Sequence, residues 1–347
     1  MLYIVLFFLA FSFFLYVLLG GADFGAGILE LFSSKENKKL IKKTVYSVMG
    51  PVWEANHIWI IILIVILWIA FPGYYNILVI YLHIPLTLVL LGITLRGVAF
   101  VFRHYDAVKD KSQILYDKMF ELSCVVTPIF LGMTFGTLIS GNIVLMDPAE
   151  NPDFVILFIT PWFQAFPIAI GLFFAALCTF LAATFLIGEV DLENRKLYIR
   201  KATIATYTVI LLGLITLVIG YTQEKQFVLD FIQNYYALGL VSISAILIFP
   251  LWYSIRKGDY ILCRFFAGLQ VILIITAALF AHYPDIIITK TGAISLLDNA
   301  APPEVIKVLA ISLLVGGFLI LPGLFHLLKS FKMIKILETT TAPDHDH

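Results

Sequence analysis

The chain has 347 residues, 61% of them hydrophobic and only 13% charged, with acidic and basic side chains balanced at 23 each. A mean hydropathy of +0.98 excludes a soluble protein of this length, whose core cannot absorb so much apolar surface. The composition predicts an all-α polytopic membrane protein, and no nucleic-acid partner is expected.

A span needs about 20 apolar residues to cross the hydrocarbon of a bilayer. Nine segments qualify: 2–29, 50–71, 76–102, 118–146, 155–188, 200–221, 231–254, 260–282 and 304–330. Together they form a single transmembrane helical domain over 1–338, with spans one to four at 1–146 and spans five to nine at 155–330, and a disordered polar tail at 339–347. Span one lacks a basic n-region and a small-residue cleavage site, so it is read as a retained anchor. Basic residues test the count independently. Of the 23, 19 fall in 33–43, 103–118, 195–201, 256–264 and 329–335, the segments after the odd-numbered spans. The positive-inside rule then places the N-terminus outside and the C-terminus in the cytoplasm. No connection is long enough to hold a soluble catalytic domain, so any chemistry lies in or between the helices.

Span one carries Asp23 and Glu30, seven residues apart; span two carries Glu54 and His57, three apart; span three carries Arg96 and Arg103, again seven apart. Each pair is expected to share a helix face. The topology puts all six toward the cytoplasmic half, where Glu121 of span four joins them. Charged groups inside a bilayer cost several kcal/mol or more, so they mark functional sites by default. Asp23, Glu54, His57, Glu30 and Glu121 are candidates for a proton pathway, with Arg96 and Arg103 as structural charge partners. The alternative is a static ion-pair network, favoured for Glu30, Arg103 and Glu121 near the interface. Gly21 and Gly25, flanking Asp23, form a small-x-x-x-small pattern for close helix approach.

The remaining signals are weaker. His57 and His83 lie at depths differing by roughly 6 Å at 1.5 Å rise per residue, an awkward arrangement for ligating one haem iron, and no metal site is expected. Cys124, Cys178 and Cys263 are isolated and read as core residues. Trp53, Trp59, Trp162 and Trp252 are read as interface anchors, Glu189 as solvated, and His282-Tyr283-Pro284-Asp285 as an interfacial turn.

Five stretches together resemble a family: Gly20-Gly-Ala-Asp23-Phe-Gly25; Trp53-Glu54-Ala-Asn56-His57-Ile-Trp59; Leu95-Arg96-Gly97-Val-Ala-Phe100-Val-Phe102-Arg103; Phe135-Gly136 with Gly141; and Tyr283-Pro284-Asp285 before Asp298-Asn299-Ala300-Ala301. Their order and spacing are similar to subunit II of the cytochrome bd quinol oxidases. The Trp53, Asn56 and Trp59 motif and the Arg-Gly-x-x-Phe-x-x-Arg motif are the specific parts. The resemblance implies two four-helix bundles plus one helix. It implies a larger subunit I as partner, holding haems b and d and the quinol-oxidising loop, with a small single-span subunit, lipid and quinone as further partners. This chain would carry no haem and no catalytic residue of its own in a quinol:oxygen oxidoreductase of the bacterial cytoplasmic membrane. Asp23 and Glu54 would belong to a proton pathway. Four positions depart from the usual pattern: Gly20 and Val101 stand where acids are common, and His57 and His326 where Gln and Tyr are usual. Competing readings are a proton-coupled secondary transporter, for which no internal repeat is found, and a catalytically silent scaffold for a redox subunit.

Overall fold

The computed structural model describes residues 1–50, 53–105, 111–146 and 153–330. The tail expected at 339–347 lies outside the described residues, as do Lys332 and Lys335. Among the described residues, nine helices are long and apolar enough to cross a membrane, as the hydropathy pattern predicts. Backbone polar groups have no water to bond in hydrocarbon, which is why the spans are helical.

Helices α1 (Leu2–Leu15) and α2 (Gly21–Leu31) form span one, joined by a π-helical turn at Tyr16–Gly20. Helix α3 (Lys35–Met49) replaces the predicted loop. It is amphipathic: Ile41, Val45 and Met49 are buried, Lys38 and Lys42 are half-buried beside them, and Lys35, Lys39 and Lys43 are exposed. Helix α4 (Trp53–Ala70) is span two.

Span three, predicted as one helix, is broken at Leu82 into α5 (Pro72–Tyr81) and α6 (His83–Tyr105). Pro85 is the cause, because its ring clashes with the carbonyl four residues back, at Tyr81. Pro250 does the same to Ile246, so that span seven divides at Leu247 into α12 (Tyr235–Ile246) and α13 (Ile248–Lys257). Helix α7 (Ser112–Leu138) is span four; the short α8 (Phe154–Phe158) and a turn precede α9 (Ala165–Phe185). Helix α10 (Leu192–Thr222) is followed by the eight-residue α11 (Gln226–Gln233). Gly258 closes α13 with φ +73, a left-handed cap that suits glycine. Helix α14 (Tyr260–His282) leads to the hairpin β1 (Ile287–Thr289) and β2 (Gly292–Ile294), and α15 (Pro303–Ser330) completes the described chain.

Spans one to four pack together, as do spans five to eight, and α15 lies against α1 and α4. Helix α9 joins the halves through glycines. A Cβ on Gly25 would sit 1.9 Å from the Cys178 carbonyl oxygen, and one on Gly132 would sit 2.7 Å from the Gly171 Cα. The backbones of α2, α7 and α9 therefore touch directly.

Two further expectations are corrected. Trp59 is 4% and Trp162 9% exposed, so neither is an interface anchor; Trp59 packs edge-on against Phe11 at 5.7 Å. Glu189 is not solvated but ion-paired to Arg264 at 2.5 Å. The three cysteines are buried and free.

Candidate functional site

The site begins with the glycines of α2. Gly21 and Gly25 lie about 200° around the helix from Asp23 at 100° per residue, so turning them onto α9 points the Asp23 carboxylate the opposite way. There it meets α6. Asp23 Oδ1 lies 2.5 Å from Arg96 Nη2, and Arg96 Nη1 lies 3.2 Å from His57 Nε2 of α4. His57 Nε2 is also 3.9 Å from Asp23 Oδ2. Asp23 is 0% and Arg96 1% exposed.

Because α2 and α6 run in the same direction, the seven-residue spacings match, and a second rung forms about 10 Å along the helices. Arg103 Nη2 donates to Glu30 Oε1 at 2.6 Å, with both side chains buried. Phe120 of α7 separates the rungs, its ring centre 5.5 Å from the Arg96 guanidinium and 4.3 Å from that of Arg103. Phe24 covers the other side of Arg96 at 5.3 Å. These aromatic faces supply cation–π contact where water would otherwise solvate the charge.

Beyond the second rung, charge continues toward the lysine-rich end. Asp117 Oδ1 lies 3.1 Å from Arg103 Nε and accepts from Lys42 at 2.5 Å, and Lys38 pairs with Glu121. The network thus contains four acids and four bases around a neutral-capable imidazole. Desolvating an ion costs several kcal/mol and is offset only by close, well-bonded partners.

Of the residues singled out in the sequence, the structure unites Asp23, His57, Arg96, Glu30, Arg103 and Glu121. Glu54 stands apart: its side chain is exposed on α4, and no ion pair reaches it among the described residues. The expected common face with His57 does not hold, since His57 turns inward to Arg96. Asn56 is buried, and Trp53 lies 5.5 Å from the Phe100 ring. Sequence reasoning missed Asp117, Lys38 and Lys42. Their signal was present as two complementary i, i+4 pairs, Lys38 and Lys42 on α3 and Asp117 and Glu121 on α7, and was hidden by reading α3 as a loop.

One haem iron held between His57 and His83 does not fit. His57 Nε2 is committed to Arg96, and His83 Nδ1 lies 2.8 Å from the Ile80 carbonyl. Among the described residues no group of three or more His, Cys, Asp or Glu side chains is placed to hold a metal.

The family model "Cytochrome bd terminal oxidase subunit II" matches residues 1–331. The chain belongs to the cytochrome bd terminal oxidase subunit II family. This membership and the nine apolar helices make it a multi-pass protein of the bacterial cytoplasmic membrane. It is 32% identical over 127 residues to the cytochrome bd ubiquinol oxidase subunit 2 of Bacillus subtilis (strain 168), an alignment that covers 35% of this chain and 36% of that protein. It is 24% identical over 331 residues to a putative cytochrome bd menaquinol oxidase subunit II of the same organism, covering 92% of each. In fold it is similar to a chain of the bd oxidase structure from Geobacillus thermodenitrificans, with a TM-score of 0.74 at 16% identity over 95% of this chain and 99% of that one.

Proposed function

We propose that this chain is subunit II of a cytochrome bd-type terminal oxidase, and that within it the Asp23–Arg96–His57 group takes up protons from the cytoplasm. The observation that carries the reading is the complete burial of Asp23 and Arg96 beside a half-buried His57, with further charge leading from them to the lysine-rich end of the molecule. Family membership supports a larger subunit I as partner, holding haems b and d and oxidising membrane quinol; a small single-span subunit and bound quinone or lipid are further proposed partners. The haems supply the electron transfer to oxygen. Reducing oxygen to water consumes one proton per electron, and those protons need a path through hydrocarbon.

The geometry suits Asp23 to that task. Arg96 holds Oδ1, leaving Oδ2 to accept a proton and pass it to His57. Arginine can only donate, so the neutral imidazole accepts from Arg96 at Nε2 and carries its own hydrogen on Nδ1. Glu30, Glu121 and Asp117 line the approach. Glu54, exposed one turn before His57 on α4, is the proposed point of transfer to the partner subunit. The orientation that fits has the N-terminus outside and the C-terminus in the cytoplasm.

The test is quinol-driven oxygen uptake by the intact complex carrying Asp23→Asn or Glu54→Gln. Each variant is expected to retain the visible haem spectrum and to lose roughly a hundredfold in turnover, the low end of what a positioned proton-transfer group contributes. Wild-type turnover in both would leave the chain a silent scaffold.

A further inference from the structure

Outside the charge network, the seam between span one and α4 holds polar atoms in an apolar setting. Ser12 Oγ, Tyr16 Oη, His57 Nδ1 and Trp59 Nε1 are all buried without a hydrogen-bond partner among the described residues. Ser12 is 0%, Tyr16 6% and Trp59 4% exposed. Tyr16 and Trp59 belong to one buried cluster with Phe24, and the Tyr16 and His57 ring centres are 6.1 Å apart. Ser12 stands one helical turn before Tyr16, farther from the cytoplasmic end. In hydrocarbon each unsatisfied polar group costs several kcal/mol. A seam of Ala, Phe and Leu would avoid that penalty.

The backbone is shaped around this seam. The π turn at Tyr16–Gly20 lies immediately before α2, and such turns are frequent at functional sites. It folds the Tyr16 ring over Gly20 so closely that a Cβ there would meet Tyr16 Cε2 at 2.9 Å. Tyr16 therefore occupies the space that a side chain at position 20 would fill. The titratable groups that face it are Asp23, Arg96 and the Cys178 thiol of α9, with His57 across the seam.

We propose that Ser12, Tyr16, His57 and Trp59 form a buried water site, and that Tyr16 and Ser12 carry protons along it from His57 toward the middle of the membrane. Four unpartnered polar groups along one seam are as many as the two to four partners that a buried water needs. In the relay step, protonated Asp23 gives its proton to His57 Nε2 while the Nδ1 hydrogen passes to the water at Tyr16. The Asp23 O–H bond breaks as an Nε2–H bond forms in place of the hydrogen bond from Arg96, the Nδ1–H bond breaks as an O–H bond forms on the water, and a ring flip restores the starting tautomer. This inference rests on the cytoplasmic proton route proposed above.

The experiment uses the intact complex with Tyr16→Phe, Ser12→Ala and, as reference, Asp23→Asn, reading oxygen uptake in water and in deuterium oxide. Tyr16→Phe keeps the ring over Gly20 and is expected to slow turnover roughly tenfold with an enlarged solvent isotope effect; Ser12→Ala shifts both readouts in the same direction. A Tyr16→Phe complex at wild-type rate beside a slow Asp23→Asn overturns the seam and leaves the route standing. A slow Tyr16→Phe with an unchanged isotope effect also overturns it, since packing alone then explains the loss. If both Tyr16→Phe and Asp23→Asn turn over normally, the seam falls with the route. Should Tyr16→Phe fail to assemble, Ser12→Ala decides by the same two readouts.

Discussion

Arg96 is the residue on which the site's charge balance depends. It lies 2.5 Å from a fully buried carboxylate, and removing one partner of a buried pair leaves the other charge uncompensated. Arg96→Met is expected to destabilise the protein by about 3–5 kcal/mol, and the double variant Arg96→Met with Asp23→Asn to recover most of that loss. Thermal unfolding of the purified complex checks both. Much of this was legible in the sequence. The seven-residue spacings of Asp23 with Glu30 and Arg96 with Arg103 place matching charges at matching depths on helices that run the same way. The face of α4 was not legible: residues three apart diverge by about 60°, enough for His57 to turn inward while Glu54 stays exposed. Only the helix neighbours decide which of the two is buried.

Among the elements, α3 is the part that hydropathy conceals. A helix lying outside the span count carries no long apolar run, and its buried residues appear only at helical spacing. Its two lysines are predicted to differ. Lys42 bonds Asp117, which keeps Arg103 at 3.1 Å if the lysine is lost, so Lys42→Ala should cost under about 1 kcal/mol, as for exposed pairs. Lys38 is the partner of the buried Glu121, and Lys38→Ala strands that carboxylate at about 1–3 kcal/mol. Denaturant titration of the two variants in parallel compares them. The breaks at Leu82 and Leu247 teach a similar lesson. Hydropathy averages across them, whereas Pro85 and Pro250 mark each one by the carbonyl four residues back.

At the scale of the molecule, nine spans and the alternation of basic segments could be read directly, because membrane insertion acts on hydropathy and charge rather than on tertiary contact. The close contact of α2, α7 and α9 was visible only as scattered glycines. One consequence of the paired rungs concerns voltage. Each rung is neutral, so the transmembrane field exerts little net force on the resting site, and a proton added to Asp23 is the charge that feels it. Asp23 stands eight residues from the end of α2 at Leu31, about 12 Å into a hydrocarbon layer of about 30 Å. On the proposed route and orientation, loading that proton from the cytoplasm against an inside-negative potential costs roughly 1 kcal/mol per 100 mV. Complex reconstituted in vesicles should turn over more slowly as such a potential is imposed, and faster when its sign is reversed. A response of the opposite sign would invert the proposed orientation.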